Sequence, residues 1–213
     1  MTGSRPPADG DPVPAKPLLR TRMLAGRAHR SPDDVTRAGL GFRKQALTLP
    51  EVAEGRRVAL FVGQGGEPDT QPLVDALHSR GVAVLLPILL GDFDLDWGLY
   101  VPGMRAPGRL GLLEPTTDPL GRSAVTAVTA VICPGVAVDL SGNRIGRGGG
   151  SYDRALARCG LSVLRCQLAY DDEVLDSVPT LPHDEPIDVI ITPTATVRTG
   201  RGRPPRRHTG ASN

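Results

Sequence analysis

The chain alternates between strand-length apolar runs and segments of helical spacing, and that alternation restricts the architectures open to it. Arg57 to Val62, Val82 to Leu86, Ala127 to Cys133 and Leu161 to Leu168 read as strands, Leu95 to Val101 as a weaker one, and Ile187 to Thr192 as the final strand. Pro17 to His29 reads as a helix with proline in its first turn, where the missing N–H costs nothing. Ser31-Pro32-Asp33-Asp34 caps a second helix reaching about Leu47. Thr70 to Arg80 gathers Leu73, Val74 and Leu77 on one side, and Tyr152 to Cys159 is a further helix. Strands joined through helices by short loops form crossover units, so the expected class is α/β: a three-layer sandwich around a mostly parallel sheet, in a single domain.

Composition adds boundaries. Hydrophobic residues make up 39% of the 213 residues and aromatics only 3%, so the core must be aliphatic. Residues 1–14 and 200–213 are rich in Gly, Pro, Arg and Ser and are expected to be disordered tails flanking a domain at 15–199. Arg201, Arg203, Arg206 and Arg207 crowd the second tail, yet the net charge is only +2, too mild to argue for nucleic acid. The N-terminus lacks an apolar targeting core and no run approaches membrane-spanning length. Cys133, Cys159 and Cys166 show neither a C-x-x-C pair nor metal spacing, and His29, His78, His183 and His208 lack zinc spacing. The expectation is a cytoplasmic, monomeric protein with buried thiols and with no membrane or specific nucleic-acid partner.

The chemistry concentrates in Asn143-Arg144-Ile145-Gly146-Arg147-Gly148-Gly149-Gly150-Ser151-Tyr152-Asp153-Arg154, where four glycines and three arginines lead into a helix. Glycines let successive N–H groups point into one concavity, and the helix N-terminus and the arginines add positive charge. Such a loop suits a polyanion, and the Asp153 carboxylate beside it suits a phosphate-bound metal. Ser151 stands where a dinucleotide fingerprint needs its third glycine, no G-x-x-x-x-G-K-[ST] occurs, and Asp153 spoils a G-x-S-x-G elbow. Lys16 and Arg20, four apart, share one helix face with no carboxylate partner nearby in sequence. Glu67 follows the first strand as a carboxylate at a strand end, with two acceptor oxygens to offer a ligand.

Cys133-Pro134-Gly135-Val136-Ala137-Val138-Asp139, Gly142-Asn143-Arg144-Ile145-Gly146-Arg147-Gly148-Gly149-Gly150 and Tyr152-Asp153-Arg154 together resemble the signature of the 5-formyltetrahydrofolate cyclo-ligase family. The resemblance extends over most of residues 16–193. It implies ATP- and Mg2+-dependent conversion of 5-formyltetrahydrofolate to 5,10-methenyltetrahydrofolate through a phosphorylated formyl group, with release of ADP and phosphate. ATP would be bound by Lys16, Arg20, Arg144, Ile145, Gly146, Arg147, Gly148, Gly149, Gly150, Ser151 and Tyr152. Folate would be bound by Val62, Glu67 and the Gly148, Gly149, Gly150, Ser151 run. The resemblance makes Arg144, Arg147 and Tyr152 catalytic and Asp153 with Asp184 the Mg2+ ligands. Glu67 would face the pterin while the arginines face phosphate.

Three departures stand out. Ser151 replaces the first of two family tyrosines, Gly149 stands where some relatives have lysine, and Leu110 stands where the family has tryptophan. They leave a second reading open, a lapsed relative that holds folate or nucleotide without turnover. A third reading, RNA association through the basic tail, lacks any recognised nucleic-acid module.

Overall fold

The computed structural model describes residues 16–200, so the expectations for the 1–14 tail and for 201–213 lie outside the described residues. In chain order the elements are α1 (Lys16–Ala28), α2 (Pro32–Ala46), α3 (Pro50–Ala53), β1 (Arg57–Leu60), α4 (Gln71–Ser79), β2 (Ala83–Leu89) and β3 (Leu95–Leu99). There follow β4 (Arg105–Pro107), β5 (Leu113–Pro115), β6 (Ala130–Cys133), β7 (Ala137–Asp139), β8 (Arg144–Ile145), α5 (Ser151–Arg158), β9 (Leu164–Leu168), β10 (Val174–Leu175), β11 (Val189–Ile191) and β12 (Thr196–Arg198).

A seven-stranded sheet of order β12-β11-β9-β6-β1-β2-β3 forms the centre. Its five inner strands run parallel, and β3 and β12 pair antiparallel at the two edges. Alternate residues of β1, β2, β6 and β11 enter two separate cores, while β9 sends Leu164, Cys166 and Leu168 into one and turns the buried polar Arg165 and Gln167 to its other face. Val58, Leu60, Ala130 and Ile132 pack with α2 and α4, whereas Ala59, Val131 and Cys133 pack with α5 and Trp97. Burial on both faces explains why these strands read as continuous apolar runs. The architecture is the expected α/β single domain with a mostly parallel sheet between layers.

Local rules account for the helices. Ser31 Oγ accepts the Asp34 N–H at 3.1 Å and Pro32 fills the first turn of α2, whose last turn carries Arg43 and Lys44. Several boundaries differ from the sequence expectation; the strand expected from Leu161, for one, starts at Leu164. Residues 122–127 form a 3-10 turn, so the strand expected from Ala127 starts at Ala130. The sheet also does not end with the run at 187–192, because β12 folds back onto β11. Its short, partly exposed Thr196-Val197-Arg198 has too weak an apolar pattern to announce itself.

A second, three-stranded sheet of order β10-β7-β8 lies beside the first, and α1 packs on it through Leu19, Met23 and Leu24. The dock is fastened by charge. Arg27 Nε and Nη2 reach Glu173 Oε1 and Oε2 at 2.6 and 2.8 Å, and Nη2 also donates to the Gly135 carbonyl. Both side chains are only 2% exposed. No helix among the described residues is long and apolar enough to cross a membrane.

Removing one partner of a buried pair leaves a desolvated charge without compensation. Glu173→Ala should therefore lose about 3–5 kcal/mol of stability. The measurement is urea unfolding, where the midpoint should fall at unchanged slope. A variant within error of wild type would show that Arg27 is not held by this carboxylate.

Candidate active site

In parallel sheets ligands gather beyond the carboxyl ends of strands, where neighbouring strands lead the chain in opposite directions. That point here lies between β1, which leads through α4 to β2, and β6, which leads through α5 to β9. A cavity of about 560 Å³ opens there, lined by Phe61 and Val62 after β1 and by Pro134 and Gly135 after β6. The structure gathers around it Lys16, Arg20, Val62, Glu67, every residue from Arg144 to Asp153, and Asp184. All the residues singled out in the sequence as candidate ligand contacts thus line one space.

The glycine run forms the loop before α5. Gly148 has φ +105 and Gly150, the N-cap of α5, has φ +67. A Cβ at Gly148 would meet the Arg20 guanidinium at an ordinary 3.5 Å, so backbone conformation rather than space reserves glycine there. Arg20 Nε donates to the Gly146 carbonyl at 2.8 Å, which holds α1 over the loop.

Three cations of the site, Lys16, Arg144 and Arg147, are each paired with a carboxylate, whereas Arg20 rests on the Gly146 carbonyl. The sequence placed Lys16 without a partner, but the fold brings Asp184, 168 positions away, against its ammonium. Arg144, 2% exposed in its side chain, pairs with Asp153. Arg147 Nε lies 2.9 Å from Glu67 Oε1, while Glu67 Oε2 accepts the Gln64 N–H at 3.1 Å. The sequence separated Glu67 from the arginines; in the fold Glu67 and Arg147 are one unit. Burial opposes ionisation of Asp184, but the Lys16 hydrogen bond and the Leu181 N–H outweigh it and hold its pKa below the usual carboxylate value. His183 is mainly exposed, with Nε2 4.0 Å from Asp184 Oδ1.

Other lining residues are apolar and, apart from Leu110 at the position of the family's tryptophan, were not legible as site residues. Pro87, Leu89 and Leu95 come from the β2–β3 hairpin, and Leu112 and Leu113 from the chain around β5. Two more, Phe93 (φ 62) and Leu110 (φ 56), are the non-glycine residues with left-handed backbone among the described residues. Such conformations cost about 1–3 kcal/mol and persist where the surroundings impose them. Tyr152 stands edge-on to Trp97 at a centroid distance of 6.5 Å, and its hydroxyl is buried without a hydrogen-bond partner among the described residues. Burial raises its pKa well above 10, reinforced by Cys133 and Glu67. Burial likewise pushes the Cys133 thiol up to about 11.

Among the described residues no three His, Cys, Asp or Glu side chains cluster as a ready metal cage. Asp153 and Asp184 do share the cavity, and the hydrogen bonds they accept fall on Oδ1 of the first and Oδ2 of the second. One or two carboxylates with phosphate oxygens and waters are a common magnesium environment. The donor set fits that ion.

A sequence model of the 5-formyltetrahydrofolate cyclo-ligase family matches residues 12–193. The chain is 34% identical over 184 residues to the 5-formyltetrahydrofolate cyclo-ligase of Mycolicibacterium smegmatis, covering 84% of this chain and 94% of that protein. It is 30% identical over 180 residues to the enzyme of that name from Escherichia coli K12, covering 83% and 97% respectively. The solution structure of Aquifex aeolicus 5,10-methenyltetrahydrofolate synthetase superposes with a TM-score of 0.76 at 29% identity, covering 92% of this chain and 99% of that one.

The depressed pKa of Asp184 has a sign that can be checked. Its carboxylate stays ionised in the fold below the ordinary 3.8, so the unfolded chain binds the proton first as pH falls. The resulting stabilisation is present above the unfolded value and vanishes as pH drops through the folded one. Asp184→Asn should be less stable than wild type at neutral pH, and urea midpoints of the two should converge below pH 3.8. A gap that stays constant across that range would rule out the Lys16–Asp184 pair as its source.

Proposed function

The chain belongs to the 5-formyltetrahydrofolate cyclo-ligase family and is an enzyme, a ligase of folate metabolism; from that premise we propose that it uses ATP and Mg2+ to close 5-formyltetrahydrofolate to 5,10-methenyltetrahydrofolate. The formyl oxygen attacks the γ-phosphorus of ATP and ADP departs. N10 then adds to the activated carbon and gives up its proton to the departing phosphate, which leaves with the former formyl oxygen, and the methenyl bridge remains. The observation that supports this reading best is the single cavity that joins a cationic glycine nest to an apolar lining.

Phosphoryl transfer asks a protein mainly for alignment and charge neutralisation. The Gly148 to Ser151 backbone cradles phosphate, with Arg144 and Arg147 offsetting its charge and Lys16 and Arg20 holding the nucleotide. Ile145, Gly146 and Tyr152 complete that side. Val62 and Glu67 receive the pterin, with the glycine run and Ser151 at the junction. Asp153 and Asp184 would hold Mg2+, which supplies further neutralisation of the phosphates. As phosphate draws Lys16 toward itself, the Asp184 carboxylate becomes available to the ion, while Asp153 offers the oxygen that Arg144 does not engage. The proposed steps need no side-chain nucleophile or base, because the phosphate takes the N10 proton. We place the protein in the cytoplasm as a monomer working on small molecules, a setting compatible with three buried cysteines.

Purified protein with 5-formyltetrahydrofolate, ATP and MgCl2 should develop methenyl absorbance. A flat trace from folded protein that still binds folate would instead establish the lapsed-binder alternative. Glu67→Gln swaps an acceptor for a donor and leaves a pterin N–H unpaired, a loss of about 1–3 kcal/mol or roughly ten- to a hundredfold in folate affinity. Because Arg147 rests on Glu67, the KM for ATP should rise as well, by a smaller factor. An unchanged folate affinity would remove Glu67 from the folate side.

A further inference from the structure

Phe93 combines features that no packing role accounts for. It stands in the turn between β2 and β3 with a left-handed backbone (φ 62), and the other described non-glycine residue of that kind, Leu110, lines the same cavity. Of the aromatic residues on that lining, Phe61 is buried at 4% exposure and Tyr152 is partly buried behind its contact with Trp97, whereas Phe93 is 46% exposed. A large apolar side chain in a strained turn, facing a cavity rather than a core, is a mark of a ligand contact.

The turn is held from two sides. Asp94, 2% exposed, receives Arg158 and Arg122 and accepts its neighbour's Leu95 N–H at 2.8 Å. Leu90 N–H donates to the Asp94 carbonyl at 2.9 Å, and Phe93 N–H to Leu90 at 3.1 Å. From the other side, Arg154 Nη2 donates to the Phe93 carbonyl at 2.7 Å and to the Gly149 carbonyl at 2.9 Å. One guanidinium nitrogen therefore joins the Phe93 turn to the glycine nest. The ring is close as well: Phe93 Cδ1 lies 3.9 Å from where a Cβ of Gly149 would stand. Phe93 occupies the seam between the apolar and the cationic lining.

We propose that Phe93 is a specificity-determining residue whose ring forms the wall on which the aromatic part of the folate stacks at the seam with the nucleotide, and that Arg154 is the positioning residue holding it there. This rests on the folate reading of the cavity. Offset aromatic stacking supplies the preference for a flat ring system. Arg154 contacts neither reacting group in this account; it acts through Phe93.

The variants Phe93→Gly, Phe93→Tyr, Arg154→Met and the Phe93→Gly/Arg154→Met double are measured for folate binding by calorimetry without ATP, for both KM values, and for Tm. Phe93→Gly relieves the positive φ while removing the ring. Its Tm should equal or exceed wild type while folate binding weakens about tenfold and the KM for ATP moves less than about twofold. Phe93→Tyr should restore binding. Arg154→Met should weaken folate, and the double variant should be no worse than Phe93→Gly alone. Additive losses in the double would overturn the positioning role of Arg154. Phe93→Gly with unchanged folate binding, or with a Tm loss matching its binding loss, would overturn the wall. Wild-type protein that binds folate but makes no methenyl product would sink the proposed reaction while leaving the binding comparison decisive for Phe93.

Discussion

The buried pair between Arg27 and Glu173 is the interaction on which the site's assembly depends. From it one branch runs to the Gly135 carbonyl after β6, which lines the cavity, and another to the Tyr170 N–H that Glu173 Oε2 accepts at 3.1 Å. The Tyr170 hydroxyl then donates to the Gly66 and Glu67 carbonyls, at 3.3 Å each. A single desolvated ion pair thereby fixes α1, which carries Lys16 and Arg20, relative to both the floor of the cavity and the backbone of Glu67. Such a pair adds little over a well-packed apolar substitute, because desolvating both charges offsets most of their attraction. Its contribution is registration: four forked donors and acceptors admit one placement of α1 where a greasy contact would admit several.

The site itself is a set of cations held ready by carboxylates. Lys16 with Asp184, Arg144 with Asp153 and Arg147 with Glu67 each balance a charge that would otherwise repel its neighbours across the cavity. At an effective dielectric near 20, like charges 4 Å apart repel by about 4 kcal/mol, enough to scatter unpaired side chains. Pairing keeps them in place at low net charge. In the proposed reaction a polyanion entering the nest would find the cations already aligned, and its exchange with Lys16 would free Asp184 for a divalent ion. The exposed fraction of the pairs follows this logic: the Arg144 side chain is 2% exposed and fixed, whereas that of Arg147 is 55% exposed and able to move.

How much of this the sequence discloses depends on range. Ser31 before Asp33 and Asp34, the apolar runs of the inner strands and the glycine loop are local signals, and the structure carries each of them. Conversely, Lys16 and Asp184 are 168 positions apart and Arg27 and Glu173 are 146 apart, distances over which no periodicity speaks. The two-residue strands β8 and β10 are too short to show alternation. Phe93 looks like any loop phenylalanine, since a left-handed φ leaves no trace in composition unless glycine or asparagine takes the position. The residues of the cavity's cationic side were therefore legible and its apolar side largely was not: charges clustered in one segment, while the apolar wall was assembled from separate strand ends.

Tyr152 is placed to serve the proposed reaction as a hydrogen-bond donor and not as a base. Its phenol is buried between Trp97 and Cys133 and loses the water that would solvate a phenolate, so its pKa rises well above 10, and the nearby Glu67 carboxylate pushes the same way. A group so placed stays neutral at any physiological pH and cannot accept a proton from a substrate. It can donate one hydrogen bond, and its hydroxyl has no partner among the described residues. The same holds for Arg144 Nε, likewise buried and unpartnered beside it. A buried polar group left unpaired costs about 1–3 kcal/mol, so a ligand that engages both donors recovers that free energy on binding. Two fixed, uncharged-or-cationic donors next to an anion-binding nest favour whichever state carries most negative charge at that spot, which in the proposed reaction is the transferring phosphoryl group.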